Sequence, residues 1–164
     1  YVGKLSLKYK IYNMITIENF KSKHSNKVRF IGLDLGSKRI GISICDERQS
    51  IATPFKTINK TNTSELIKEL KIIIDENNIG GVVVGSPINM DGSIGRSAQS
   101  VNDIASNISK SIDLPVILWD ERLSTVGAFN LSSLLDVNVS KRVKTIDQNA
   151  AAFILQGAID FLNN

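Results

Sequence analysis

Apolar and polar residues repeat with a period of two in the first part of the chain. From residue 28 to residue 58, short apolar runs separated by turn residues indicate three β-strands, expected at residues 28–35, 40–45 and 50–58. Pro54 places the third strand at an edge or in an irregular position. Three successive strands with short links are typical of an antiparallel meander.

Helical periodicity replaces the strand pattern after residue 63. Apolar residues at helical spacing predict helices over residues 63–77, 98–108, 126–135 and 150–162. Two apolar runs between them, at residues 80–85 and 115–119, are typical of parallel strands. The sequence therefore predicts an α/β fold: a mixed five-stranded sheet of three antiparallel and then two parallel strands, with helices on both faces.

The chain has 164 residues and a formal net charge of +4, but this positive charge is concentrated near the N-terminus. Residues 1–27 contain six lysines and one glutamate, whereas residues 28–164 contain 14 basic and 15 acidic residues. We expect residues 1–27 to form a basic extension, flexible or in part foreign to the natural sequence, and residues 28–164 to form one domain. Because that domain is nearly neutral, the overall basicity does not indicate nucleic-acid binding.

The cellular compartment is predicted from features that the sequence lacks. A single cysteine, Cys45, excludes an intramolecular disulfide, and no apolar run reaches the length of a membrane helix. Lysines interrupt the apolar residues near the N-terminus, which argues against a secretory signal. We expect a cytoplasmic protein with no membrane partner.

Asp34 lies inside an apolar strand, between Leu33 and Leu35, close to the carboxyl end of that strand. A buried carboxylate is costly without a partner. Ligand sites in sheets with parallel strands gather at the carboxyl ends of the strands. A turn-forming aspartate is the simpler alternative, but the position inside an apolar run favours a functional role.

Further acids follow the strand at 115–119 and precede the last helix. Asp120 and Glu121 leave the strand on opposite faces, so one can point into a site while the other points away. A solvated charged turn is an equally good explanation of that pair alone.

Asp147 falls in the predicted first turn of the last helix, after a basic link at 137–144, because Thr145 and Gln148 form a capping-box pattern. The helix dipole by itself would favour an acid there.

Three acids from distant segments can form an oxygen-ligand site for Mg²⁺ or Mn²⁺, which supports phosphodiester cleavage. Other chemistries lack their residues. The one histidine, His24, lies in the basic extension, which leaves no Ser-His-Asp set, and Cys45 lies in mid-strand, which leaves no zinc ligand set. A phosphate-binding P-loop motif is absent as well.

Four motifs, in order over residues 28–163, resemble those of one known family. They are GLDLGSKRIGI at 32–42, GSPINMDG at 85–92, DERLST at 120–125 and DQNAA at 147–151. On these residues the chain resembles the bacterial family of pre-16S rRNA nucleases, also called Holliday junction resolvases, which has a ribonuclease H-like fold. Residues 1–27 lie outside the resemblance, and Ser86 stands where the family usually has an apolar residue.

The resemblance implies a cytoplasmic nuclease that processes the 5′ end of pre-16S rRNA, with ribosomal particles as further partners. It implies a catalytic Mg²⁺ or Mn²⁺ site carried by Asp34, Glu121 and Asp147, with Asp120 as the substitute for Glu121. Basic residues in or beside the motifs are expected to contact phosphates. These candidates for nucleic-acid binding are Lys38, Arg39, Arg96, Arg122, Lys141, Arg142 and Lys144.

Three other functions stay open. A Holliday junction resolvase acting on branched DNA would use the same chemistry and would need a homodimer, whereas an RNA nuclease could be a monomer. Residues 33–37 also resemble the phosphate-binding hairpin of actin-type and sugar-kinase-type ATPases, although 164 residues do not supply their second lobe. A non-catalytic nucleic-acid-binding module is disfavoured, because bare carboxylates repel phosphate.

Overall fold

The computed structural model describes residues 14–15, 17–21, 28–121 and 139–163, with the backbone alone at 14–15, 18, 21 and 139–148. Six strands and four helices lie in this part of the chain. In order they are β1 (Met14–Ile15), α1 (Ile17–Lys21), β2 (Arg29–Leu35), β3 (Arg39–Cys45), β4 (Ala52–Asn59), α2 (Thr63–Asn77), β5 (Ile79–Ser86), α3 (Arg96–Ser111), β6 (Val116–Asp120) and α4 (Val139–Asn163). The helix predicted over 126–135 lies outside the described residues.

The strands form one mixed sheet in the order β1-β6-β5-β2-β3-β4. Strands β2, β3 and β4 are antiparallel neighbours, while β5 and β6 run parallel to β2, so the predicted five-stranded arrangement is confirmed. Strand β4, which contains Pro54, is an edge strand, and its pairing with β3 shifts between Ile42 and Ser43. The proline therefore lies where a missing ladder hydrogen bond is tolerated.

Residues 14–15 and 17–21, which the charge pattern assigns to the extension, pack on the domain. Strand β1 pairs in parallel with β6 and adds a short sixth strand. Phe20 in α1 is buried, and its ring lies 5.0 Å from that of Phe30 in an edge-to-face contact. One buried aromatic ring is enough to dock this short segment, although lysines surround it in the sequence.

Each face of the sheet is covered by its own helices. Aliphatic side chains that alternate along β2 and β3, such as Leu33 and Ile42, pack against α2 and α3. The alternate positions, such as Phe30 and Cys45, face α4. None of the helices in the described residues is long and apolar enough to span a bilayer.

Helix α2 has the predicted extent, and Asn62 caps its N-terminus. The side chain of Asn62 accepts a hydrogen bond of 2.9 Å from the backbone N–H of Glu65. Asn78 ends the helix in the left-handed conformation, with φ of 53°. Asparagine suits both ends because its short amide can cap a helix and tolerates positive φ.

Helix α4 begins at Val139, six residues before the predicted cap at Thr145. The predicted basic link at 137–144 is therefore wrong from residue 139 onward, and Asp147 lies inside the helix rather than in its first turn. The reason is the apolar spacing of Val139, Val143 and Ile146, with no glycine or proline among them. These apolar residues continue the helical spacing upstream of the capping pattern, so the helix begins before it.

Helix α4 lies directly on the backbone of β2 and β3. A Cβ atom at Gly32 would come within 2.9 Å of the Ala151 carbonyl oxygen and 2.7 Å of Leu155 Cβ. The Ser43 hydroxyl donates a 2.7 Å hydrogen bond to that same Ala151 carbonyl. The far end of α4 is fixed too, because Asn163 donates a 2.8 Å hydrogen bond to the Gln49 carbonyl. The helix therefore runs antiparallel to β2, and its first turns extend toward the carboxyl end of that strand.

We expect Gly32→Ala to destabilise the protein by about 1–3 kcal/mol, because the added methyl group overpacks the contact with α4. Urea denaturation followed by circular dichroism measures the change. Ser100→Ala, at an exposed position of α3, serves as the control and should leave the unfolding midpoint within error of the wild type. Equal midpoints for Gly32→Ala and wild type would show that the helix is not held this closely.

Asp46 organises the turn between β3 and β4. Its carboxylate accepts hydrogen bonds from the backbone N–H groups of Ile51 and Ser50 and from the Ser50 hydroxyl, at 2.7–2.9 Å. These bonds, with that from Ile51 the largest contribution, lower the pKa of Asp46 from 3.8 to about 2. The ionised carboxylate is therefore the form that stabilises the turn.

We expect Asp46→Ala to lower the free energy of unfolding at pH 7 by about 1 kcal/mol. Since the folded-state pKa lies below the unfolded-state pKa, the contribution is complete above about pH 4 and is lost as the pH falls toward 2. Chemical denaturation between pH 2 and pH 7 measures this. A difference between the two proteins that stays constant over this range would contradict the assignment.

Candidate active site

Asp34 and Glu121 meet at the carboxyl end of the parallel strands. Asp34 is the last residue but one of β2, and Glu121 directly follows β6. Because β2, β5 and β6 are parallel, their carboxyl ends lie at one edge of the sheet, with β5 in the middle. The structure thus brings together two of the three acids that the sequence analysis selected.

The two acids lie on the face of the sheet that α4 covers. In β2, Phe30 and Gly32 lie on this face. Asp34 lies on it as well, because alternate residues of a strand share one face. In β6, Ile117 and Trp119 pack toward α4. Because successive side chains of a strand point to opposite faces, Asp120 lies on the opposite face and Glu121 lies on the α4 face. Glu121, rather than Asp120, is therefore the acid that the structure places beside Asp34.

Gly85 on β5 makes room between the two strands that carry the acids. A Cβ atom at this position would come within 2.6 Å of Glu121 Oε1 and would collide with the Ile154 side chain of α4. The Glu121 side chain can therefore lie across β5 toward Asp34. The sequence analysis quoted Gly85 within a motif but gave it no role. A glycine that closes a run of three valines is the signal that marks such a close approach.

The acids influence each other strongly. Burial, the negative charge of Asp34 and a hydrogen bond from the protonated Glu121 to Asp34 raise the pKa of Glu121 from 4.5 to about 8, and Asp120 adds to the effect. Two carboxylates in contact cannot both ionise without a compensating charge. The site thus favours a cation between Asp34 and Glu121.

Asp147 lies on α4, and the structure describes its backbone only. The Ala151 carbonyl meets Ser43, which pairs with Gly32. Asp147 lies one helical turn, about 6 Å, before Ala151. Asp34 lies two strand residues, about 7 Å, beyond Gly32 in the same direction. The backbone of Asp147 is therefore level with Asp34 at the carboxyl end of the sheet.

The donors at this edge are oxygen atoms, which suit Mg²⁺ or Mn²⁺ rather than zinc. Among the side chains that the structure describes, no three histidine, cysteine, aspartate or glutamate residues form a group that could hold a metal ion. The described part of the site is the pair of Asp34 and Glu121. A third carboxylate at Asp147 would complete a set of hard ligands, so the residues present fit such an ion.

Three of the predicted basic residues lie at the same end of the sheet as the acids. Lys38, exposed, and Arg39, half-buried, lie at the hairpin that follows Asp34. Arg96, also exposed, begins α3 after the loop that leaves β5. The side chains of the other four predicted phosphate-binding residues are not described. Lys141, Arg142 and Lys144 belong to the first turns of α4, where only the backbone is described, and Arg122 lies outside the described residues.

Comparison with known proteins gives matches over most of the chain. Residues 28–161 match the sequence model of the RuvX family, described as Holliday junction resolvase. A protein of Pelagibacter ubique named "Putative pre-16S rRNA nuclease" is 91% identical over 151 residues, which cover 92% of this chain and all of that protein. A protein of the same name from Paramagnetospirillum magneticum is 41% identical over 83% of this chain and 88% of its own length.

Solved structures share the fold. Thermus thermophilus RuvC in complex with a Holliday junction substrate matches with a TM-score of 0.51 and 12% identity over 80% of this chain and 93% of its own. Fowlpox virus resolvase, in complex with Holliday junction DNA, matches with the same TM-score and identity over 84% of this chain and all of its own. These likenesses confirm the ribonuclease H-like fold expected from the sequence.

We expect Gly85→Ala to lower the pKa of Glu121 from about 8 toward its ordinary value, because the new methyl group would push the glutamate away from Asp34. Carboxyl carbon chemical shifts, followed by NMR against pH in metal-free protein, measure it. Ser100→Ala should leave the titration unchanged. A pKa near 8 in folded Gly85→Ala would show that the glycine does not position Glu121.

Proposed function

The chain belongs to the RuvX family of nucleases, and on this premise we propose that it is a divalent-metal-dependent nuclease that hydrolyses phosphodiester bonds in precursor 16S rRNA. The observation that carries this proposal is the contact of Asp34 with Glu121 at the carboxyl end of the parallel strands. Such a carboxylate pair suits a hard divalent cation. In this proposal, residues 28–164 form the nuclease domain.

Asp34, Glu121 and Asp147 are the proposed ligands and catalytic residues. When bound, Mg²⁺ or Mn²⁺ lowers the pKa of a coordinated water and stabilises charge on the leaving oxygen. Asp34 is held on a central strand and Asp147 on a helix packed against it, so both ligand positions rest on rigid elements. Ligand positions that are fixed before the substrate binds lower the cost of orienting the scissile phosphate.

The basic residues around the acids are proposed to bind phosphates on either side of the cleavage point. Lys38 and Arg39 lie at the hairpin next to Asp34, and Arg96 lies at the start of α3. Such contacts orient the strand without reading its sequence. Arg122, Lys141, Arg142 and Lys144 belong to the same proposal on the basis of their place in the sequence.

The substrate preference rests on the relatives. The 91% identical protein carries the name of a pre-16S rRNA nuclease, which favours precursor rRNA as the substrate. Ribosomal particles as partners and the cytoplasm as the compartment belong to the same proposal. The family description favours branched DNA as the second candidate. Cleavage of a four-way junction needs two symmetrically placed sites, so this alternative requires a homodimer.

We expect Asp34→Asn and Glu121→Gln to lower the cleavage rate by roughly 100-fold or more, since each removes a charged metal ligand. Asp120→Asn is the matched control, because Asp120 faces the other side of the sheet, and it should lose less than about tenfold. The assay incubates the full chain with Mg²⁺ or Mn²⁺ and either precursor rRNA spanning the mature 5′ end or a four-way DNA junction.

Three results would contradict the proposal. Equal cleavage by wild type and Asp34→Asn would show that Asp34 is not a ligand of a catalytic metal ion. A larger loss from Asp120→Asn than from Glu121→Gln would show that the other carboxylate is the ligand. ATP hydrolysis without cleavage of either polymer would favour the ATPase reading of residues 33–37.

A further inference from the structure

The loop of residues 87–95, between β5 and α3, presents two large apolar side chains to solvent. Met90 is 87% exposed and Ile94 is 61% exposed. Single exposed apolar residues are common on protein surfaces and need no explanation. Two of them, four residues apart on one loop, form an apolar tip.

This loop is held in shape by its own polar residues. The Asp91 carboxylate accepts hydrogen bonds from the backbone N–H and the hydroxyl of Ser93, at 2.9 and 2.6 Å. The Asn89 side chain donates to the same hydroxyl at 3.0 Å, and its backbone N–H donates to the Ser93 carbonyl. Gly92 supplies the positive φ of 87° that the tight turn requires. The loop therefore presents Met90 and Ile94 in a fixed arrangement.

The loop begins at the same end of the sheet as the acidic pair. It leaves β5 at Ser86, which pairs with Asp120, and Glu121 is the next residue. Met90 is four residues from Ser86, so their Cα atoms lie no more than about 14 Å apart. One strand spacing and one residue separate the Cα atoms of Ser86 and Glu121, about 9 Å at most. The Met90 Cα is therefore within about 23 Å of the Glu121 Cα, which corresponds to about seven nucleotides of one strand in a duplex.

The chemistry of a nucleic acid decides which part of it such a tip can contact. The sugar-phosphate backbone is polar and charged, whereas the faces of the bases are flat and aromatic. A thioether packs well on an aromatic face. In an intact duplex these faces are stacked on one another, so an apolar side chain gains contact only where a base is unpaired or a step is opened.

We propose that Met90 and Ile94 form a contact site for unpaired bases within about seven nucleotides of the scissile phosphate, so that the protein selects strands that leave or interrupt a helix. This inference rests on the nuclease function proposed above. It names a substrate feature common to structured RNA and branched DNA. Arg96, two residues after Ile94, supplies a positive charge for the backbone of the same strand.

The test measures binding separately from cleavage. Met90→Ala/Ile94→Ala is made in an Asp34→Asn background, which prevents cleavage. The matched control is Ile72→Ala in the same background; Ile72 is also exposed, at 55%, but lies on α2, on the face of the sheet opposite the acidic pair. Three probes are used: an RNA hairpin with an unpaired flank, a four-way DNA junction and a fully paired duplex. The first two carry 2-aminopurine at an unpaired or branch-point base.

We expect the double substitution to weaken binding of at least one unpaired probe roughly tenfold and to abolish its change in 2-aminopurine fluorescence. Binding of the duplex should change less than twofold. The probe that shows the larger loss identifies RNA or DNA as the source of the bases. Unchanged affinity, an equal loss on the duplex, or an equal effect of Ile72→Ala would overturn the proposal.

The same data keep this inference apart from the proposed nuclease function. A wild-type protein that cleaves neither polymer but binds the unpaired probes through Met90 and Ile94 would refute the catalytic proposal alone. A wild-type protein that cleaves, and whose affinity is unaffected by the double substitution, would refute the base-contact proposal alone.

Discussion

The close approach of α4 to the sheet at Gly32 is the constraint on which the arrangement of the acids depends. A helix that rests on side chains of ordinary size would lie farther from β2, and its register along the strand would be looser. Here the Ala151 carbonyl reaches the Ser43 hydroxyl at 2.7 Å, which fixes both the distance and the register. Interiors are packed tightly enough that such a contact transmits position to the next turn of the helix.

A second constraint acts across β5. Glu121 reaches Asp34 across Gly85, which has no side chain, and the result is a partly buried pair of acids that cannot both ionise without a compensating charge. Folding thus assembles an unfavourable electrostatic arrangement, and aliphatic packing on both faces of the sheet must offset it. A site of this kind lowers the stability of the metal-free protein and raises its affinity for a cation.

Much of the fold follows from local patterns in the sequence. The alternation along residues 28–58 and the helical spacing after residue 63 each reflect one element packing on one core, so they identify five strands and most of the helices. Asp34 could be selected because an acid inside an apolar strand is rare. The sequence could not separate Asp120 from Glu121, since the choice depends on which face the alternation of β6 presents to α4. The predicted start of α4 is wrong because a capping pattern is local, whereas the apolar spacing that extends the helix begins at Val139.

The docking of α4 also determines when the site can exist. The contact between Ser43 and Ala151 closes a separation of 108 residues, so the sheet around Asp34 is completed only after α4 has been synthesised. Contacts between such distant residues form late, because the intervening chain must first be ordered. A partly synthesised chain would carry Asp34 and Gly85 but not the helix that completes the edge. The carboxyl end of the sheet therefore takes its final form only once the chain has been synthesised past α4.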